Sequence, residues 1–257
     1  MRFMLLMKSG PNLEADKLPD PAIHAAMSRF NQRLQDAGAR ISADGLKPSK
    51  EGVRLSQTNG DRTRVDGPFA EAREVVAGFW IIDVPTLADA IAWVKQMPFE
   101  EGGPVEDVGE VEIRPFWELP GAPPFEAPPV PAGMRRFISW VAADAASERG
   151  EMGDPELFVA MDGLVQRSIA AGRWGGGDGL RPSSESAKVV FGPGKREVID
   201  GPFAETKELV AGYAILYARD LEDMVQLGWD FLAVDAPGRG GHSHIVIQPF
   251  YEASDFA

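Results

Sequence analysis

Apolar and polar positions along the chain change period several times, and each change marks an element. Phe3 to Met7 is an apolar run that turns polar at Lys8 and is closed by Ser9-Gly10-Pro11. That pattern predicts a buried strand ended by a breaker. Ile23, Met27, Phe30, Leu34 and Ala37 then recur at spacings of four, three, four and three, which puts them on one helix face. Asp20-Pro21 is placed to open that helix and Gly38 to end it. Short strands are expected near 40–46, 53–57 and 62–65, and a β-branched and aromatic central strand from Glu74 to Val84. A second helix takes Thr86 as its N-cap and buries Leu87, Ile91 and Val94. In the last strand Val111, Ile113 and Pro115 alternate with Glu110, Glu112 and Arg114.

The pattern then repeats. Asp66-Gly67-Pro68-Phe69-Ala70-Glu71 returns as Asp200-Gly201-Pro202-Phe203-Ala204-Glu205, displaced by 134 positions. The same displacement carries Asp44-Gly45-Leu46-Lys47-Pro48-Ser49 onto Asp178-Gly179-Leu180-Arg181-Pro182-Ser183, and Pro115-Phe116 onto Pro249-Phe250. The second copy repeats the first helix as Leu157, Met161 and Leu164, weakening at Ser168, with Asp154-Pro155 as its start and Gly172 as its stop. The copies span 1–119 and 134–257. Between them, 120–133 holds six prolines, which forbid a helix and favour an extended spacer.

Each copy reads as β-α-β-β-α-β with a hairpin added in the middle, a ferredoxin-like α+β pattern. Its sheet carries helices on one side only, so its other face needs a partner. A tandem copy supplies one, face to face, with room between for a small ligand. The pairing is expected within one chain as a pseudo-dimer, or across two chains as a homodimer.

The formal charge of −13 argues against a nucleic-acid surface or docking on an anionic membrane. The absence of cysteine excludes disulfides and thiolate nucleophiles. The apolar runs are too short to span a bilayer and the N-terminus lacks a signal-peptide pattern, so a cytoplasmic protein is expected.

The repeat and its turn motif resemble the YCII-related superfamily, in particular the branch named for its Asp-Gly-Pro-Phe-Ala-Glu-Thr-Lys-Glu signature. Asp200 to Glu208 carries that signature in full; the first copy has Ala72 and Arg73 where it has Thr and Lys. The resemblance implies two ferredoxin-like domains packed as a dimeric α+β barrel, and in some relatives an association with sigma factors. It also implies a helix histidine paired with an aspartate, which does not carry over cleanly: His24 lies about one turn early, and Phe158 takes its place in the second copy.

Candidate chemistry is sparse. Asp66 and Asp200 are the candidate catalytic carboxylates, although an Asp-Gly-Pro sequence is also a good turn former on its own. Glu71 and Glu205 are the second carboxylates. Phe69, Phe203, Asp44, Asp178 and Arg114 are candidate substrate-binding residues, with a rim salt bridge the competing role for Arg114. His242 and His244 share a strand face, but no third ligand accompanies them, so no metal and no cofactor is expected. Trp174-Gly175-Gly176-Gly177 lacks the Lys-Ser/Thr and the following helix of a phosphate loop. Two functions stand: a small-molecule-binding protein, with acid–base or lyase-type chemistry if it is an enzyme, or a non-catalytic ligand-binding or protein-interaction module.

Overall fold

A computed structural model describes residues 1–10, 14–15, 21–69, 75–99, 109–118, 127–151, 153–192, 194–203 and 209–256. The first half forms β1 (Arg2–Lys8), α1 (Pro21–Asp36), β2 (Arg40–Gly45), β3 (Val53–Thr58), β4 (Asp61–Asp66), β5 (Val76–Asp83), α2 (Leu87–Val94) and β6 (Glu110–Pro115). The second forms β7 (Arg135–Ala142), the short α3 (Ala145–Glu148), α4 (Pro155–Ala170), β8 (Trp174–Gly179), β9 (Ala187–Gly192), β10 (Lys195–Asp200), β11 (Val210–Ala218), α5 (Leu221–Gly238) and β12 (His242–Pro249). Short 3-10 turns at Ser49–Glu51 and Ser183–Glu185 precede β3 and β9.

Local chemistry sets several of these boundaries. Thr86 and Asp89 form a reciprocal capping box at the start of α2. Asp154 caps α4 ahead of Pro155, and Asp220 caps α5 through the amide of Asp223. Gly38 and Gly172 have φ of +66° and +67° just after α1 and α4, the left-handed stop that glycine adopts without strain. The glycine run 175–177 lies on strand β8, not on a loop.

The inserted hairpins do not stay with the copies that encode them. One six-stranded antiparallel sheet has the order β10-β9-β6-β1-β5-β2, the other β4-β3-β12-β7-β11-β8. Hairpin β9–β10 of the second half therefore extends the first half's sheet along β6, and hairpin β3–β4 of the first half extends the second half's sheet along β12. The compact units are accordingly discontinuous in sequence. The first comprises Met1–Pro48, Phe69–Glu118 and Arg181–Ala204; the second comprises Ser49–Pro68, Leu119–Leu180 and Glu205–Ala257.

In the first unit, α1 and α2 cover one sheet face. Phe30, Leu34, Ala90 and Val94 pack there on Phe3, Leu5, Ile82, Ile113 and the exchanged Val189. The helix stripe read from sequence holds at Phe30 and Leu34, while Ala37, in the turn after α1, is exposed. In α2, Ala90 and Val94 are buried, with Leu87 and Ile91 partly so.

In the second unit, α5 covers the corresponding face. Met224, Val225 and Leu232 pack on Phe137, Leu216, Ile245, Ile247 and the exchanged Val53 and Leu55. The weaker stripe of α4 has a consequence: none of its residues is fully buried, and Phe158, Val159 and Ile169 are exposed.

Candidate functional site

The Asp-Gly-Pro-Phe motifs lie at the ends of the exchanged hairpins. Asp66 ends β4 and Asp200 ends β10, and both are exposed. Asp66 Oδ1 accepts from Arg64 Nε at 2.8 Å, and Arg64 in turn makes two bonds to Glu222 at the start of α5. The following glycines are fixed by close packing. A Cβ on Gly67 would lie 1.8 Å from the Ser49 carbonyl oxygen, and one on Gly201 would lie 1.7 Å from that of Ser183. The amides of these glycines donate to the carbonyls of Gly52 and Ser186. The Pro-Ser and Asp-Gly-Pro-Phe motifs thus meet in space, where each exchanged hairpin leaves and rejoins its half of the sequence.

Phe203 is half-buried in the first unit, with its amide donating to Ser183 Oγ and Lys188 Nζ 5.4 Å from its ring. Phe69 is half-buried as well. Glu71 and Glu205 lie outside the described residues.

The face of the first unit's sheet opposite the helices is buried too. Cross-strand register places Asp44, Phe79, Leu6, Glu112 and Lys188 in one row across β2, β5, β1, β6 and β9. Residues directly opposite on neighbouring strands share a face, so all five side chains do. Met4, Leu6 and Phe79 give this face its apolar character and are inaccessible to solvent.

Into that setting the chain puts three charges. Glu112 Oε1 accepts from Arg114 Nη1 at 2.8 Å and Glu112 Oε2 lies 3.5 Å from Lys8 Nζ; the three side chains are between 0 and 5% exposed. Burial pushes the Glu112 carboxyl up, but Lys8 and Arg114 outweigh it and hold it below the ordinary glutamate range. Arg114 Nε and Nη2 both donate to the Arg181 carbonyl, so the guanidinium also fixes the start of the exchanged segment. Both charges, Glu112 and Arg114, lie on the buried, helix-free face, and Arg114, a substrate-binding candidate for which a rim salt bridge was the competing role, forms a buried ion pair and not one at the rim. One strand further along, Lys188 pairs with Glu110 at 2.9 Å, their side chains 25% and 29% exposed. The row therefore opens to solvent at that end.

The second unit is an internal control. Its equivalent row is Asp178, Tyr213, Trp140, Val246 and Arg54. The ends match in charge and the centre is apolar or aromatic in both, but Val246 replaces Glu112. Register also aligns Ala142 with Lys8 and Gln248 with Arg114. Gln248 accepts from Trp140 Nε1 at 3.1 Å.

Asp44 and Arg114 thus share the face of one sheet, with Asp178 on the matching face of the other, while Asp66 and Asp200 stand apart at the hairpin ends. Lys8 and Glu112 were not singled out from sequence. The signal was a displacement comparison, which sets Lys8 and Glu112 against Ala142 and Val246.

His24 is exposed on α1. His242 is exposed, its Nδ1 2.7 Å from Thr58 Oγ1, and its ring centroid lies 5.9 Å from that of half-buried His244. Among the described residues no group of three His, Cys, Asp or Glu is placed to hold a metal ion, and no helix is long and apolar enough to cross a membrane.

Comparison with known proteins agrees with the repeat. An uncharacterised protein of Rhizobium meliloti (strain 1021) is 27% identical over 100 residues, covering 39% of this chain and 77% of that protein. The model of the YCII-related domain matches residues 1–116 and 157–231, one segment in each half and together most of the sequence, so the chain belongs to the YCII-related family.

Proposed function

We propose that this protein binds a small molecule on the helix-free sheet face of its first unit, at Lys8, Glu112 and Arg114. The observation that carries this is the contrast between the two units. The second builds the same strand order and register with Ala142, Val246 and Gln248, so neither the order nor the register requires these charges. Burying charges is expensive, and a buried ion pair is at best a weak source of stability against apolar residues of similar size. An apolar wall with a few convergent polar groups is the usual make-up of a ligand site. Asp66 and Asp200 fit a structural role better than a catalytic one. Both are exposed, one is engaged by Arg64, and both precede glycines held by close packing. Binding is therefore favoured over acid–base or lyase-type chemistry at the motif.

The test is a thermal-shift screen of the full chain against a panel of small acids, amines, amides, phosphates and sugars. Compounds that stabilise the wild type should lose their effect in Lys8→Ala, which installs the second unit's residue. They should keep it in the double variant Asp66→Asn, Asp200→Asn. The opposite outcome would return the site to the motif carboxylates.

A further inference from the structure

We infer that the outward face of α4, in the second unit, docks a helix of another protein that carries a Lys or Arg within an apolar stripe. This surface is separate from the site proposed above, and the inference does not rest on it. The inward stripe of α4, Leu157, Met161 and Leu164, is half-buried. Leu157 packs on Gly238 of α5, where an added Cβ would lie 2.7 Å from it. Beside that stripe runs a second one. Phe158, Asp162, Val165 and Ile169 follow at spacings of four, three and four, with Val159 alongside. This is the seam of a coiled coil, with Phe158 and Val165 at d positions and Asp162 and Ile169 at a positions. Phe158, Val159 and Ile169 are 49, 75 and 46% exposed. Single exposed apolar residues are ordinary, whereas a heptad stripe of them on one helix marks an interaction face.

The repeat supplies the comparison. On α1 the equivalent positions hold His24, Ser28, Asn31 and Gln35, all polar. The same line of the same helix is thus solvated in one copy and apolar in the other.

Charge selects the occupant. Asp162 stands exposed inside the apolar seam. Its carboxylate takes a long 3.5 Å bond from Gln166 Nε2 and no ion pair among the described residues. A charged residue at an a position suits a partner with the opposite charge there and penalises an apolar or like-charged one. A second copy of this chain fails that condition. Parallel pairing sets Asp162 on Asp162, and antiparallel pairing does the same because Asp162 lies at the middle of Pro155–Ala170. The seam also occupies one face of a 16-residue helix, well short of the ~800 Å² a side of a standard stable interface. It fits a short helical segment held transiently. The chain's net charge of −13 draws such a segment in when it is cationic.

The probe is a fluorescein-labelled three-heptad peptide, apolar at a and d except for a Lys at its central a position. A peptide with Glu in that place is its counterpart. Both are titrated with the full chain and read by fluorescence anisotropy. The wild type should bind the Lys peptide saturably and at least ~10-fold more tightly than the Glu peptide. Phe158→Ser should weaken that binding at least ~10-fold, as loss of an aromatic anchor does. Ile41→Ser, at another exposed apolar residue, should leave it unchanged. Asp162→Lys should reverse the preference between the peptides. These side chains are exposed, so the variants should melt close to the wild type; should Asp162→Lys unfold, Asp162→Asn must still abolish the preference. Equal binding of the two peptides, a preference that survives substitution of Asp162, or no binding of either overturns the inference. Sedimentation showing a dimer that Phe158→Ser dissociates would make the occupant a second copy and overturn it as well.

Discussion

Ser56 and His244 face each other across β3 and β12, one residue from each half of the sequence. Replacing both with cysteine tests the hairpin exchange directly, because the chain has no other cysteine to compete. Directly opposite residues in an antiparallel pair have Cβ atoms ~4.5–5.5 Å apart, and a disulfide forms with a small inward shift to ~3.5–4.5 Å. The cross-link closes a loop of roughly 190 residues, which by loop entropy stabilises the fold by up to about 5 kcal/mol, a rise of roughly 10–20 °C in thermal midpoint. The control is Ser56→Cys with Glu110→Cys. The exchanged β9 sets Val190 against Glu110, and Val190 is the repeat equivalent of Ser56, so this is the pair an unexchanged hairpin would bring together. Air oxidation, non-reducing electrophoresis and melting with and without reductant provide the readout. The Ser56/His244 variant should cross-link and melt higher when oxidised, and the Ser56/Glu110 variant should do neither. Efficient cross-linking of the control alone would show each hairpin staying with its own copy, and the account of the fold would fail.

Leu55→Ala, in the first half of the sequence, should cost ~2–5 kcal/mol by removing a fully buried side chain, and hydrogen exchange should show the loss in β7, β11 and β12 of the second half more than in β1 and β5. Gly67→Ala should cost at least ~3 kcal/mol, because its Cβ would overlap the Ser49 carbonyl, whereas Asp66→Asn next to it should change denaturant stability by under ~1 kcal/mol. Glu112 sets an acid limb: its folded-state pKa lies below the unfolded one, so its contribution is fully present above the ordinary glutamate range and disappears as pH falls through the folded value. Glu112→Gln should flatten that part of a stability-versus-pH curve measured from pH 6 downward.

Much of the fold was legible without coordinates because it depends on neighbours in sequence. Helix starts at Thr86 and Asp154 follow from side chains that bond amides two or three residues on. The stops at Gly38 and Gly172 follow from φ values that disfavour a Cβ. The candidate site was only half legible. Asp44 and Arg114 stood out as polar residues at turn and strand positions, and they lie on one sheet face. Lys8 marked only the end of an apolar run and Glu112 one member of an alternating strand, since period-two patterning assigns residues to a face but does not say which charges on that face are brought together.

From residue order alone come the repeat, the identity and approximate limits of most strands and helices, and the glycines Gly38 and Gly172 that stop the first helix of each half. Each is fixed by short-range sterics and hydrogen bonding, which act wherever the segment ends up. Only the tertiary structure decided which edge each hairpin joins and which charges are buried together. Strand edges in the two copies are nearly equivalent partners, so pairing is chosen by long-range packing: Val189 in one core, and Val53 and Leu55 in the other. That same packing leaves Glu112 between Lys8 and Arg114 with no water to share.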